Sequence, residues 1–257
     1  MGARALPSAL RPLAADPAQA GVFVDFDGTL SEIVDDPGAA RPLTGTADAL
    51  DGLGARFGRV AVLSGRPVDF LVPWFGPDVM LSGLYGLETV VHGRRLDHPL
   101  GGVWREVVDD VALQSASQGP DGMRVESKGL SLTLHYRGRP EREAAVREWA
   151  EQQAARSGLE LRSARLSYEL HPPIDVDKGT SLLELADDLD AVCFIGDDVG
   201  DLPAFDALDR LGATGVTAVR VGVRSGEAVD QLLDRADVVV DGPEGVLDVL
   251  QALLAAS

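Results

Sequence analysis

Short, continuously apolar runs separated by helix-like stretches constrain the fold of this 257-residue chain more than any other feature. VFVDF (22–26), RVAVLS (59–64) and VMLSG (79–83) read as strands. A helical stretch, TGTADALDGLGARF (44–57), and a short helix led by Pro67 lie between them. After residue 175 the alternation resumes with a helix from Lys178, strand AVCFI (191–195) and helix DLPAFDALD (201–209). Strand TAVRVGV (217–223), a helix near 228–235, strand DVVV (237–240) and a closing helix over 243–254 complete it. Strands apolar along their whole length need cover on both faces, and intervening helices supply it. The expected class is α/β, built on a doubly wound parallel sheet.

The middle of the chain follows another pattern. WREVVDDVALQSA and residues 140–156 read as helices; MRVES, LSLTLHY, LELRS and LSYEL read as strands. In LSLTLHY, Leu130, Leu132, Leu134 and Tyr136 alternate with polar residues, as in a sheet with one wet face. Helix-strand-strand, written twice, points to a small α+β module inserted at residues 103–174. The larger domain would then comprise residues 1–102 and 175–257.

Charge and cysteine usage narrow the partners. A net charge of −18 repels nucleic acid, whose binding depends on Lys and Arg neutralising phosphates. A small phosphorylated ligand would also be repelled at long range, so a phosphate site has to supply positive charge locally. A divalent metal does this well. The one cysteine, Cys193, rules out an intramolecular disulfide and lies in an apolar run, as a small buried hydrophobe would. No run approaches the roughly 20 apolar residues of a membrane helix. The expectation is a cytoplasmic monomer without nucleic-acid or membrane partners.

Ligands of doubly wound sheets bind at the carboxyl ends of the strands. Applied here, that rule gathers polar residues from distant segments. The first strand runs into Asp25 and Asp27, which point the same way, followed by Gly28 and Thr29. The second ends at Ser64 in VLSGR, and the strand at 191–195 runs into GDDVGD with Asp197, Asp198 and Asp201. Lys178 opens a helix, where the positive dipole end disfavours a lysine kept only for solvation. Asp25, ionised at neutral pH, can attack phosphorus without a base. Asp27 can protonate the departing alkoxide and then take a proton from water; a neighbouring carboxylate and a bound phosphate favour the protonated form that donation needs. An all-oxygen carboxylate cluster suits Mg²⁺. Ser64 and Lys178 would hold phosphoryl oxygens.

DFDGT, SGR, a Lys opening a helix and GDDVGD, in that order, resemble the four motifs of the haloacid dehalogenase superfamily of phosphatases. More closely, VFVDFDGTLSEIVDDPGAARP, GLYGLE, VESKGLSLTLHYR and YELHPPIDVDKG resemble segments of its trehalose-phosphatase family. The resemblance implies a haloacid dehalogenase core with an inserted α+β cap of the C2 type. It also implies Mg²⁺-dependent hydrolysis of trehalose 6-phosphate to trehalose and phosphate through an aspartyl-phosphate, in trehalose biosynthesis. By the same resemblance, Asp25 is the nucleophile and Asp27 the acid/base. Asp25, the backbone carbonyl of Asp27, Asp197 and Asp198 belong to the Mg²⁺ site, where Asp198 and Asp201 orient ligands. Ser64, Arg66 and Lys178 contact phosphate; Glu126, Lys128 and Glu169 hydrogen-bond the sugar.

Two positions depart from the family pattern. Gly200-Asp201-Leu202 stands where the family usually has Thr-Asp-Glu, and Tyr85 where it usually has His. Blander readings stand beside several assignments. Arg66 could pair with surface acids, the three cap residues could be charges on a wet sheet face, and Asp35 and Asp36 are loop acids without a direct role. Alternative functions are a phosphatase for another sugar phosphate, a sugar phosphomutase, and a sugar-phosphate-binding module without turnover.

Overall fold

The computed structural model describes residues 5–34, 36–164, 166–226 and 228–257. The chain divides into two compact units, Met1–Leu96 with Val176–Ser257, and Asp97–Asp175. It opens with α1 (Arg11–Ala15), β1 (Ala20–Val24), α2 (Thr46–Gly54), β2 (Arg59–Leu63), α3 (Val68–Leu71), β3 (Met80–Gly83), β4 (Glu88–Val91) and β5 (Arg94–Asp97). The second unit holds α4 (Gly101–Gln118), β6 (Arg124–Ser127), β7 (Leu132–His135), α5 (Glu143–Ser157), β8 (Glu160–Ala164) and β9 (Ser167–His171). The first unit then resumes with α6 (Lys178–Leu185), β10 (Ala191–Gly196), α7 (Leu202–Ala213), β11 (Thr217–Arg224), α8 (Asp230–Leu233), β12 (Val238–Asp241) and α9 (Gly242–Ala256).

The first unit carries one sheet in the order β12-β11-β10-β1-β2-β3-β4-β5. From β12 to β3 every neighbouring pair is parallel. The chain starts in the middle at β1 and builds outward on one side. Only after the second unit does it lay β10 against the other side of β1. This order reversal makes the carboxyl ends of β1 and β10 the switch point of the sheet, where such folds bind ligands.

Along β1 and β10, side chains alternate between two buried clusters. Val22, Val24, Cys193 and Ile195 pack with Leu50 and Leu53 of α2 and Leu250 and Leu253 of α9. Phe23, Val192 and Phe194 pack on the other face with Leu182 of α6 and Phe205 and Leu208 of α7. Burial on both faces is why these strands read as unbroken apolar runs. A fully buried Leu or Phe contributes roughly 1.5–3 kcal/mol, so the sheet's centre is held firmly enough to tolerate a charged edge.

The strands β4 and β5 were not expected. β4 runs antiparallel to β3, and all four residues of β5 are exposed. With no apolar face to bury, β5 carries no alternation to read. The signal available was the turn: His92 and Gly93 both have positive φ (47° and 72°), as a two-residue hairpin turn requires. β1 also ends at Val24 rather than at residue 26, because the Phe26 carbonyl accepts from the Leu30 and Ser31 N–H groups and turns the chain out of the sheet.

The second unit is an antiparallel sheet, β6-β7-β9-β8, with helices against one face. Leu132, Leu134, Tyr168 and Leu170 meet Val108 and Val111 of α4 and Val146 and Ala150 of α5. On the opposite face the register aligns Glu126, Thr133, Glu169 and Arg162 across all four strands. This face is polar, as the alternation required, but only partly wet, with Glu126 and Arg162 half-buried. Ser131, Thr133, Ser167, Glu169 and His171 are all buried.

Candidate active site

Four chain segments bring their polar residues to one edge of the first unit's sheet. Asp25 follows β1 directly, and its N–H continues the ladder by donating to the Ile195 carbonyl (2.9 Å). Lys178, at the start of α6, is buried and bridges two carboxylates: its Nζ lies 2.6 Å from Asp25 Oδ1 and 2.6 Å from Asp201 Oδ1. The other Asp201 oxygen accepts from the Asp197 N–H (2.7 Å) and the Asp198 N–H (3.1 Å). Asp201 thus ties the loop after β10 to Lys178. Asp197 accepts from the Thr29 hydroxyl at Oδ1 (3.2 Å) and from the Ser225 hydroxyl at Oδ2 (2.5 Å).

Gly28 explains the Asp-Gly step after Asp27. Its φ is +78°, and a Cβ there would lie 2.1 Å from Asp197 Oδ2. Only glycine lets the backbone approach that carboxylate while taking the left-handed turn.

The cluster is short of positive charge. Asp25, Asp197, Asp198 and Asp201 are close together, and among the described residues the one cation ion-paired within the group is Lys178, which reaches Asp25 and Asp201. Burial first, then Asp201, push the Asp25 carboxyl well above the ordinary carboxylate range, and Lys178 only partly offsets them. Burial raises Asp197 to about 7 and also raises Asp201. Burial alone would lower Lys178, but Asp201 and Asp25 hold it well above the usual lysine value.

The donor set fits a hard divalent cation. Carboxylate oxygens of Asp25, Asp197 and Asp201 lie within 4.8 Å of one another, all buried. Asp198 Oδ1 is also buried and has no hydrogen-bond partner among the described residues. Oxygen ligands with excess negative charge suit Mg²⁺ or Ca²⁺. Asp201 takes the Lys178 ammonium on Oδ1 and two N–H groups on Oδ2, one donor more than Asp197 accepts, and is better placed to orient the others than to coordinate.

Asp27 has a partner that sequence reasoning did not assign to it. Arg66 grips it with both arms of its guanidinium, Nε to Oδ2 and Nη2 to Oδ1, each at 2.7 Å. Arg66 also donates to the Pro37 carbonyl (2.7 Å) and lies 4.1 Å from the Phe70 ring centroid. Arg66 therefore pairs with the candidate acid/base in this structure. Asp36 is a local cap, accepting from the Gly38 N–H (3.1 Å), and Asp35 lies outside the described residues.

Ser64 is buried and accepts from the Arg66 N–H at 3.1 Å. The segment after β3 straps this loop in place: Tyr85 N–H donates to the Ser64 carbonyl (3.1 Å) and Leu84 N–H to the Arg66 carbonyl (3.0 Å). Leu84 and Tyr85 take positive φ (49° and 60°) to do so, strain that costs about 1–3 kcal/mol per residue and has to be held by its surroundings. The Tyr85 ring lies over Gly65, where a Cβ would be 2.7 Å from its hydroxyl. Buried Glu88 holds the same loop by accepting from the Val68 N–H (3.1 Å) while paired to Arg95 (2.6 Å). Sequence reasoning missed Glu88 and Ser225. Both stand beside strand ends, but an acid after GLYGL and a Ser-Gly after a strand are ordinary loop residues without their partners in view.

In the second unit, Glu169 accepts from the Ser131 hydroxyl (2.9 Å) and from Lys128 (3.4 Å). Glu126 pairs with His135 at 2.6 Å, and this hydrogen bond lowers the Glu126 carboxyl despite partial burial. All three expected cap residues thus lie on the polar side of that sheet.

The fold is that of a haloacid dehalogenase core with an inserted antiparallel-sheet cap. Comparison with known proteins narrows the class. Residues 23–237 match the family described as trehalose-phosphatase. A trehalose-phosphate phosphatase of Mycobacterium ulcerans is 36% identical over 245 residues, covering 88% of this chain and 60% of the relative. Two solved structures share the fold. A trehalose-6-phosphate phosphatase related protein has a TM-score of 0.76 at 22% identity, over 91% of this chain and 97% of its own. The C-terminal domain of the Candida albicans trehalose-6-phosphate phosphatase has a TM-score of 0.73 at 24% identity, over 99% of both chains. The chain belongs to the trehalose-phosphatase family. It spans about half to three-fifths of the length of the curated relatives it matches.

Proposed function

We propose that this protein is a Mg²⁺-dependent phosphatase that converts trehalose 6-phosphate to trehalose and phosphate, a step of trehalose biosynthesis. The observation that carries the chemistry is the buried group of Asp25, Lys178, Asp197 and Asp201 at the switch point of the sheet. The substrate rests on family membership and on the names of the relatives.

Asp25 attacks phosphorus and forms an aspartyl-phosphate, while Lys178 and the Ser64 hydroxyl bind phosphoryl oxygens. In the structure both Asp27 oxygens accept from Arg66, an arrangement that suits the base half of the cycle, when water is activated. To protonate the departing sugar oxygen, Asp27 releases that fork. Asp25, Asp197, Asp198 and the Asp27 carbonyl would hold Mg²⁺, which supplies charge for binding and neutralising the phosphoryl group. Glu126, Lys128 and Glu169 hydrogen-bond sugar hydroxyls.

Among the described residues no helix is long and apolar enough to cross a membrane. With one cysteine and a net charge of −18, we place the reaction in the cytoplasm, as that of a monomer acting on a small sugar phosphate without nucleic acid. The deciding experiment is phosphate release from a panel of sugar phosphates, with Mg²⁺ and with chelator. Preference for trehalose 6-phosphate that disappears in chelator supports the reading. Equal turnover across the panel overturns the substrate, and full activity in chelator overturns the metal.

A further inference from the structure

Among the described residues Asp197 is the one carboxylate of the cluster held by hydroxyl groups on both of its oxygens, and the two holders follow different strands. Thr29 belongs to the turn after β1 and reaches Oδ1 at 3.2 Å. Ser225 is the first residue after β11 and reaches Oδ2 at 2.5 Å. The second contact falls in the 2.5–2.7 Å range of a hydroxyl donating to an ionised oxygen, the stronger kind of hydrogen bond. It links positions 28 residues apart in sequence, across the parallel β10–β11 pair.

Geometry leaves the Asp197 carboxylate little other choice. Gly28 sits against Oδ2 so closely that no side chain fits between them. The loop that carries Asp197 is fixed from behind by its own N–H donating to Asp201. What remains is rotation of the carboxylate, and Thr29 and Ser225 stop it from either side. A carboxylate has about four lone-pair sites, so two hydroxyl donors leave others for a cation.

We propose that Ser225 is a positioning residue of the cation site, setting the Asp197 carboxylate at the angle at which it coordinates Mg²⁺. This rests on the Mg²⁺-dependent reading above. Ser225 acts on the cation through Asp197 and does not itself coordinate. Its contribution is that Asp197 need not be ordered when the ion arrives.

Mg²⁺ binding to the full chain, followed by titration calorimetry without substrate, tests this. Partners that orient a ligand typically account for 10- to 100-fold in metal affinity. Ser225→Ala should therefore weaken Mg²⁺ binding about 10- to 100-fold. Ser225→Thr, which keeps the hydroxyl, should bind near the wild-type value. The melting temperature in excess chelator should stay close to wild type for both, while the Mg²⁺-induced rise shrinks for Ser225→Ala alone. Wild-type affinity in Ser225→Ala would overturn the role of Ser225 and leave the metal-dependent phosphatase intact. Equal loss in the Ala and Thr variants would also overturn it, because the hydroxyl would not be the cause. A wild-type protein that binds no Mg²⁺ would overturn the metal itself, and this role with it.

Discussion

Both units bury carboxylates beside a sheet, but they neutralise them in opposite ways. In the second unit the buried Glu169 has Lys128 and Ser131, and the half-buried Glu126 has His135. In the first, Asp25 and Asp201 share Lys178 while Asp197 and Asp198 stand close by, and burial together with their mutual repulsion raises Asp25, Asp197 and Asp201. Leaving charges buried and under-paired is costly. On the proposed reading such a cluster receives a further cation, and a face whose charges are already paired receives a neutral ligand rich in hydroxyls. The contrast divides the proposed reaction into phosphoryl chemistry on one unit and sugar recognition on the other.

The largest expected effect tests the first half of that division. Asp25→Asn should abolish phosphate release while circular dichroism and melting stay native-like, since the amide is nearly isosteric but cannot form the acyl-phosphate. Substantial turnover by the purified variant would remove Asp25 as nucleophile. Asp27→Asn comes next, with a loss of roughly 10²–10⁴-fold in kcat. That loss should shrink for an aryl phosphate, whose leaving group needs no proton. An equal loss on both substrates would instead give Asp27 a purely geometric role.

The second half is tested at Glu169. Hydrogen bonds to charged groups are worth about 1.5–3 kcal/mol, so Glu169→Ala should lower kcat/KM for trehalose 6-phosphate roughly 10- to 150-fold and leave a small phosphate ester nearly untouched. If both substrates suffer alike, the two units do not divide the work in this way.

The smallest effect concerns stability and pH. Asp197 is raised to about 7 by burial, from an ordinary value near 3.8. Between those values the native state holds the proton more tightly than the unfolded chain, so stability from this group is full below about pH 4 and is lost as pH rises through 7. Metal-free protein should therefore melt lower at pH 8 than at pH 5. The drop should be smaller in Asp197→Asn, and Mg²⁺ should close it in the wild type. An identical drop in both proteins would show that Asp197 does not carry it.

Much of the core was legible before folding. β1 and β10 are buried on both faces, so their apolar runs could be read from residue type alone, and the rule that ligands meet strand ends then gathered Asp25, Ser64, Lys178 and Asp197 from four segments. The cap's alternation was equally plain in Leu132 and Leu134, yet it misled about Ser131 and Thr133. Polarity marks which face lies away from the apolar core; it does not say that the face meets water. β5 stayed hidden for the opposite reason, having no buried face at all.

Residue chemistry and local spacing determined that Asp25 and Asp27 follow one strand, that Gly28 comes next, and that acids and a lysine reach the same sheet edge. Tertiary structure alone decided how those charges are shared. Arg66 could have faced phosphate or surface acids, and folding gave it to Asp27 across 39 residues. Ser225 became a partner of Asp197 only because β11 lies beside β10. Hydrogen bonds and ion pairs act over a few ångströms between groups far apart in the chain. A sequence specifies which groups are present, and only packing determines which of them come within that reach.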